Sequence, residues 1–295
     1  MTQAAQLTID ATPRRLAAYS LLIAAPTPTV LDDDLWAGWR FIPEAYGFNG
    51  TGRLPTNCLG NTTLGPVPAV RPTTVDGDPF LLYATDQCSA MGWQAADYMG
   101  RARHLLEIVQ SAQIAEEVWD GSLVAGGLVN KPLVDMASDQ LTTAAVSIRD
   151  AFALIEQGIA RYGRGELGMI HMTPQVLAHA RAEYLLEKQG NLWLSPMGNI
   201  VVADAGYSGN GPFVTANTTS QWIYGTSVIE VLLGPIMFFP NAELAVDLGQ
   251  FMAEALDRTT NKVVVTAERL AGYKWDESIH VAAQVNVGVP AYGGS

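Results

Sequence analysis

From Tyr98 to Gly121 apolar residues return every three or four positions, at Leu105, Ile108, Val109, Ala112, Ala115 and Trp119, while Arg101, Glu107, Gln110 and Glu117 fall on the other side. That spacing is the period of a helix with one face against a core, and it predicts a single spine of about six turns, stopped at Asp120-Gly121. A second helical period runs from Thr142 to Tyr162 through Val146, Ile148, Phe152, Leu154, Ile155 and Ile159, and ends near Gly163 and Gly165. Next, GMIHM at 168–172 is a short apolar run, predicted as a buried strand. TPQVLAHARAEYLLEKQG follows as a helix, with Thr173 as the N-cap oxygen, Pro174 at the first helical position and Gly190 closing the end. NLWLS and NIVVA are predicted to pair around the Pro196 and Gly198 turn.

Farther on, a loop beginning at Asp204 and Ala205 separates this strand–helix–hairpin unit from WIYGTSVIEVLLG, IMFFP, NKVVVTAERLAGYKW and IHVAAQVNV. Two-residue alternation in Lys262–Ala267 and His280–Val287 predicts long antiparallel strands there. The region from Pro26 to Pro79 has neither period; it is crowded with Pro, Gly, Asn and Thr. It is too long for a connecting loop, and Trp36, Trp39, Phe41 and Tyr46 make it an extended arm laid against something apolar. Within it VDGD at 75–78 is a hairpin turn signal, with Val67–Val70 and Phe80–Thr85 as the expected strands.

Composition adds a surface argument. Hydrophobic residues are 48% of the 295, and charged residues only 16%, against about 25% in an ordinary soluble chain. Too little charge is present to clothe a free monomer, so part of the surface is expected to be covered by other subunits. The net charge of -12 excludes a primary nucleic-acid binder. Cys58 and Cys88 are too few for a disulfide scaffold and too far apart in sequence for a zinc knuckle, and are expected as free thiols in a reducing compartment. Leu16–Pro26 behind Arg14 and Arg15 is too short for a secretory signal core, and no segment reaches the roughly 18 apolar residues of a membrane span. The chain is expected to be soluble.

Candidate chemistry is sparse. GYSGNG at 206–211 has the glycines of a phosphate loop but leads into Pro212 and a Thr/Asn-rich stretch, so no helix N-terminus would face a phosphate; it is read as a flexible surface loop. No G-x-S-x-G elbow, Walker lysine or H-E-x-x-H pair occurs. Asp32, Asp33 and Asp34 lack the interleaved oxygens and glycine turn of a calcium loop. Glu116 and Glu117 are neighbours on the spine and point in different directions, which is no acid/base dyad. His171 and His179 lie across a strand-to-helix junction and share no face. His171 is expected to be partly buried and to titrate near neutrality, His179 to be on the surface, and His104 and His280 to be isolated. No catalytic, cofactor-binding or metal-binding residue is assigned, and no enzyme activity is expected.

The order of parts carries more than any motif. RARHLLEIVQSAQIAEEVWDG, GMIHMTPQVLAHARAEYLLEKQGNLWLSPMGNIVVADAGY and NKVVVTAERLAGYKWDESIHVAAQVNV, in that sequence, resemble the spine helix, axial domain and closing strands of tailed-bacteriophage major capsid proteins of the Hong Kong 97-type fold, which encapsulins share. The Glu268-Arg269 pair falls where such proteins often carry one. The resemblance implies an α+β chain with an N-terminal arm (1–45), an extended hairpin loop (46–90), the spine helix and first part of a peripheral domain (91–140), an axial domain (141–235) and the closing strands of the peripheral domain (236–295). From Gly47 to Ser89 there is no lysine, so the lysine–asparagine crosslink that some members form in that loop is not expected.

What the resemblance implies for function is a structural protein that assembles with copies of itself, as hexamers and pentamers, into an icosahedral head around double-stranded DNA. Scaffold, decoration and portal proteins would be separate partners, with no membrane involved and assembly in the bacterial host cytoplasm before residence in the virion. An encapsulin-like compartment, another virion component such as a vertex or tail protein, and a hydrolase using the Gly-rich loop and the histidines, His171 above all, remain as alternatives.

Overall fold

A 26-residue helix, α2 (Ala95–Asp120), lies across two separate β-sheets and is shared by both. The computed structural model describes residues 19–27, 35, 38–41, 75–89, 95–123, 129–135, 139–212, 219–239, 256–257 and 262–288. At about 1.5 Å per residue the helix is roughly 39 Å long, enough to reach from one sheet to the other. A single turn, α1 (Leu21–Ala24), precedes it in the chain.

The buried face of α2 differs from the predicted one. Ala102 and Leu106 are buried in its first half, and Gln110, Ser111, Ile114, Ala115, Glu117, Val118 and Trp119 in its second, whereas Leu105 is 42% exposed. A one-sided stripe is expected of a helix with one neighbour. Here the first half rests on one sheet and the second is closed in by the other sheet and by a loop, so polar Gln110 and Glu117 are enclosed and Leu105 is left outside.

The first sheet is built on β13 (Lys262–Lys274). Along one edge it pairs antiparallel with β10 (Glu230–Leu233), β11 (Met237–Phe239) and β12 (Leu256–Asp257), and along the other with β3 (Phe80–Ser89), from Ser89↔Lys262 to Phe80↔Ala271. Phe80, Leu82, Val263, Val265 and Ala267 are buried in the core shared with α2, while Leu81 and Tyr83 face outward. This alternation is what a sheet with one covered face requires.

The expected hairpin around VDGD is not formed as predicted. Val67–Val70 lie outside the described residues, and Val75–Gly77 is itself a strand, β2, paired antiparallel with β1 (Trp39–Phe41). Trp39 decides this arrangement: a Cβ on Gly77 or on Gly272 of β13 would come within 2.3 Å of its ring atoms. The indole therefore lies over two glycines and, with Leu35, Leu232 and Leu270, pins the β1–β2 ribbon to the first sheet.

The second sheet has the order β4-β14-β9-β5-β8-β7-β6, using β4 (Asp139–Gln140), β5 (Met169–His171), β6 (Glu187–Gln189), β7 (Leu192–Leu194), β8 (Ile200–Val202), β9 (Ser220–Thr226) and β14 (His280–Asn286). It is mixed, with β5–β8 and β4–β14 parallel and the other pairs antiparallel. Two helices, α3 (Ile148–Tyr162) and α4 (Pro174–Ala182), cover one face through Phe152, Ile155, Ile159, Val176 and Leu177, and the end of α2 covers the other. β14 is consequently buried on both sides and does not alternate. Expected beside β13 among the closing strands of one region, it belongs instead to this second sheet.

Two helix boundaries move. The helix expected from Thr142 starts at Ile148, capped by the Ser147 hydroxyl, which accepts from the Asp150 N–H at 3.2 Å; Val146 is extended and bridges Val285. Thr173 caps α4 as expected, accepting from Val176 N at 3.3 Å, but the helix ends at Ala182 and not at Gly190. Leu185 and Leu186 pack on the core under α3, and satisfying them pulls the chain out of the helix into β6, so Gly190 becomes the β6–β7 turn at φ 60°. The hairpin β7–β8, with Gly198 at φ 90° in its turn, is as predicted.

Candidate functional site

The polar and aromatic groups of the molecule converge where α2 ends over the second sheet. Trp119, fully buried, stacks at 4.7 Å on Tyr207 and meets Tyr224 edge-on at 5.0 Å; Tyr207 in turn meets the His171 ring at 5.8 Å. On the other side Tyr224 lies 6.1 Å from His280, whose ring is edge-on to Trp275 at 4.8 Å. Six rings thus run from the end of the first sheet to the middle of the second.

Polar atoms along this run are held by specific partners. His171 Nδ1 is 2.9 Å from the Tyr207 hydroxyl and Nε2 2.9 Å from the Thr226 hydroxyl; His280 Nε2 donates to the Leu133 carbonyl at 2.9 Å. The Trp119 N–H and the Tyr224 hydroxyl both donate to the Asn210 carbonyl, at 3.2 and 3.0 Å. Burial pushes His171 down to about 3, with the His280 imidazole adding to the effect, and pushes His280 down as well. His171 is therefore neutral at physiological pH and does not titrate near neutrality as expected; the sequence shows an imidazole but not how dry its surroundings are. Nor is His280 isolated. His104 and His179 are exposed on α2 and α4.

The GYSGNG loop is docked and not flexible. A Cβ at Gly206 would lie 1.9 Å from the Ala112 carbonyl oxygen, so the loop backbone touches the α2 backbone directly. Ser208 Oγ and Asn210 Nδ2 donate to Asp120 at 2.8 and 3.0 Å. Beneath it Asp204 is buried and accepts from Leu21 N at 2.9 Å, Ser111 Oγ at 2.7 Å and Gly206 N at 3.4 Å, tying α1, α2 and the loop to one carboxylate. Sequence reasoning assigned Asp204 no role, and the only available signal was an Asp directly after a buried strand.

Glu117 is the second buried carboxylate. One oxygen accepts from Ser122 Oγ and Leu123 N, both at 3.0 Å, while Oε1 has no partner. Burial pushes its carboxyl up, against the lowering by those two donors. Glu116 beside it is exposed, so the two share no site. Among the described residues no group of three or more His, Cys, Asp or Glu gathers to hold a metal ion, and no helix is long and apolar enough to cross a membrane. Cys58 and Asp32–Asp34 lie outside the described residues. Arg269 turns inward, donating to Gly234 O at 2.6 Å and to Gln110 Oε1 at 2.9 Å, while Glu268 stands opposite Tyr83 and Met237 on the outer face. The junction thus joins elements distant in sequence.

No family model matches the chain, and no curated protein matches it. Solved structures do. The encapsulin SrpI of Synechococcus elongatus, in its holo complex, superposes with a TM-score of 0.54 at 9% identity, covering 99% of this chain and 96% of that one. A structure of Microbacterium phage Oxtober96 gives 0.53 at 12%, covering 96% of both chains, and the capsid of an empty GTA particle gives 0.52 at 12%, covering 97% and 95%. The fold is therefore α+β and of the Hong Kong 97 capsid type. Within it this chain is a version with the spine helix shared by a five-stranded and a seven-stranded sheet.

Proposed function

We propose that the chain is a shell subunit, the major capsid protein of a tailed double-stranded DNA bacteriophage, assembling with copies of itself into an icosahedral head. The observation that carries this is the end-to-end likeness to the GTA particle capsid, with 97% of this chain and 95% of that one covered. A surface argument supports it. Only 16% of the chain's residues are charged, against about 25% in an ordinary soluble chain. Such a subunit is suited to burying several unlike contact surfaces. The net charge of -12 fits a container that encloses DNA without gripping it.

On this reading the seven-stranded sheet with α3 and α4 is the axial domain, the five-stranded sheet with the first half of α2 the peripheral domain, and β1–β2 the base of the projecting loop. The protein works by shape, with no catalytic residue, metal or cofactor. It resides in the virion after assembly in the bacterial cytoplasm, with portal, scaffold and decoration proteins as separate chains. A second reading, an encapsulin-like compartment, is favoured by the likeness to SrpI over 99% of this chain.

Expression of the chain followed by electron microscopy tests the proposal. Closed particles are the expected result, and a population that stays monomeric by light scattering at every concentration and salt overturns it. The contents then divide the two readings: a co-purified protein cargo supports the compartment, and packaging of double-stranded DNA in phage-infected cells supports the head.

A further inference from the structure

Among the described residues six strands of the two larger sheets pair on one side only, and they are guarded very differently. At the ends of the seven-stranded sheet, β4 has two residues and β6 is the exposed run Glu187, Lys188 and Gln189. Shortness and charge are the usual means of keeping a sheet edge from pairing with another chain. On the five-stranded sheet β10, β11 and β12 have only four, three and two residues. β3 has none of these protections. It is ten residues long, FLLYATDQCS, and pairs with β13 on one side only. Its single charged residue, Asp86, is neutralised by Arg101 of α2, at 2.8 Å to Nη2.

The outer face of β3 is apolar as well as its edge being open. Leu81 is 42% and Tyr83 61% exposed, and Phe239, on the same face of the sheet two strands away, is 69% exposed. A ten-residue open edge beside such a face is a surface left for a partner.

We infer that β3 pairs antiparallel with β3 of a second copy of this chain, about a two-fold axis, to join two five-stranded sheets into one. This rests on the shell reading for the identity of the partner, and the strand itself is suited to it. Two identical strands related by a two-fold axis perpendicular to the sheet oppose residues of the same face, so Leu81, Tyr83, Thr85 and Gln87 meet one another and Phe80, Leu82, Ala84 and Asp86 do the same. In registers centred on Tyr83, Ala84 or Thr85 no two like charges are opposed, because β3 carries one charge and it stands off centre. An isologous contact is self-complementary in this way. α2 stays on the same side in both copies, so the joined sheet keeps one helical layer.

Cysteine scanning tests the contact. In a chain with Cys58 and Cys88 replaced by Ser, single changes Tyr83→Cys, Ala84→Cys and Thr85→Cys are oxidised and run without reductant. A dimer band dominating at one of the three supports the inference and gives the register, with Tyr83→Cys linking only if the axis passes through Tyr83. Tyr83→Lys, at a site too exposed to unsettle the fold, opposes like charges near the axis; it is expected to lower the yield of particles or dimers about tenfold or more, with an unchanged circular dichroism spectrum. Particles that form normally with no link at any position and with Tyr83→Lys overturn the inference and leave the shell reading standing. If the wild-type chain forms no particles the shell reading fails, and the inference is then decided by the same links in concentrated solution: a linked dimer keeps it, and a monomer overturns it.

Discussion

One substitution, glycine to alanine, should have opposite effects at two places, one on the spine helix and one on the loop packed against it, and the contrast measures how the loop after Asp204 is seated. At Gly100, inside α2, an added Cβ meets nothing within 4 Å. Alanine there removes backbone freedom from the unfolded chain and should stabilise by about 0.5–1 kcal/mol. At Gly206 the same Cβ would lie 1.9 Å from Ala112 O and 2.7 Å from Glu116 N. Both obstacles are helix backbone and neither can rotate away, so the loop must lift by more than 1 Å. Overpacking alone is worth about 1–3 kcal/mol, and lifting also stretches the Ser208 and Asn210 bonds to Asp120 and the Trp119–Tyr207 stack. Hydrogen bonds to a charged acceptor contribute about 1.5–3 kcal/mol each. Gly206→Ala should therefore destabilise by about 3 kcal/mol or more. Urea unfolding of unassembled subunits, followed by tryptophan fluorescence, reads both variants as shifts in midpoint at constant slope. A Gly206→Ala subunit within about 0.5 kcal/mol of wild type, the ordinary scatter for surface changes, would refute the direct contact between loop and helix.

Other expectations follow from the same geometry. His171 has a folded value of about 3 against 6.5 unfolded, so the unfolded chain binds the extra proton; stability is full above pH 6.5 and falls as pH drops towards 3, by about 2 kcal/mol between pH 6.5 and 5. His171→Gln, which keeps a donor and an acceptor for Tyr207 and Thr226, should flatten that dependence in urea midpoints at pH 7.5 and 5, and an unchanged slope would count against a dry imidazole. Glu117 is shifted the other way for a carboxyl: raised by burial, it favours the fold below its usual value of 4.5 and loses that contribution as pH rises through the folded value. Glu117→Gln should accordingly gain on wild type as pH rises, and a midpoint difference equal at pH 4 and pH 7 would contradict this. Gly272→Ala drives a methyl to 2.3 Å from Trp39 and should cost about 1–3 kcal/mol; combined with Trp39→Ala the two effects should fall short of additive, because the clash vanishes with the ring.

How much of this could be read in advance depends on range. Thr173-Pro174 and the Pro196–Gly198 turn were legible because capping and turn chemistry act over three or four residues. α2 was found for the same reason, through its period, yet its buried face was misassigned. Gln110 meets Arg269 of β13, and Trp119 meets the loop after Asp204, and nothing near them in sequence announces those neighbours. Gly206 is the same case: a glycine chosen for a helix 90 residues away looks identical to one chosen for flexibility. The two sheets were harder still, since β13 and β14 share composition and alternation and only their partners, β3 and β9, tell them apart.

Those partners also set when the subunit can fold. β13 is the strand on which the five-stranded sheet is assembled, and β14 fills the second sheet between β4 and β9. A chain on the ribosome can form α2, α3 and the β7–β8 hairpin early, because their contacts are local. Neither sheet can close before residues 262–286 have been made, and β3 must wait for a partner about 180 positions downstream. Contacts of such long range form slowly. The open edge of β3 is therefore not presented on a finished sheet until synthesis has passed β13, which delays contact between copies until each subunit is whole.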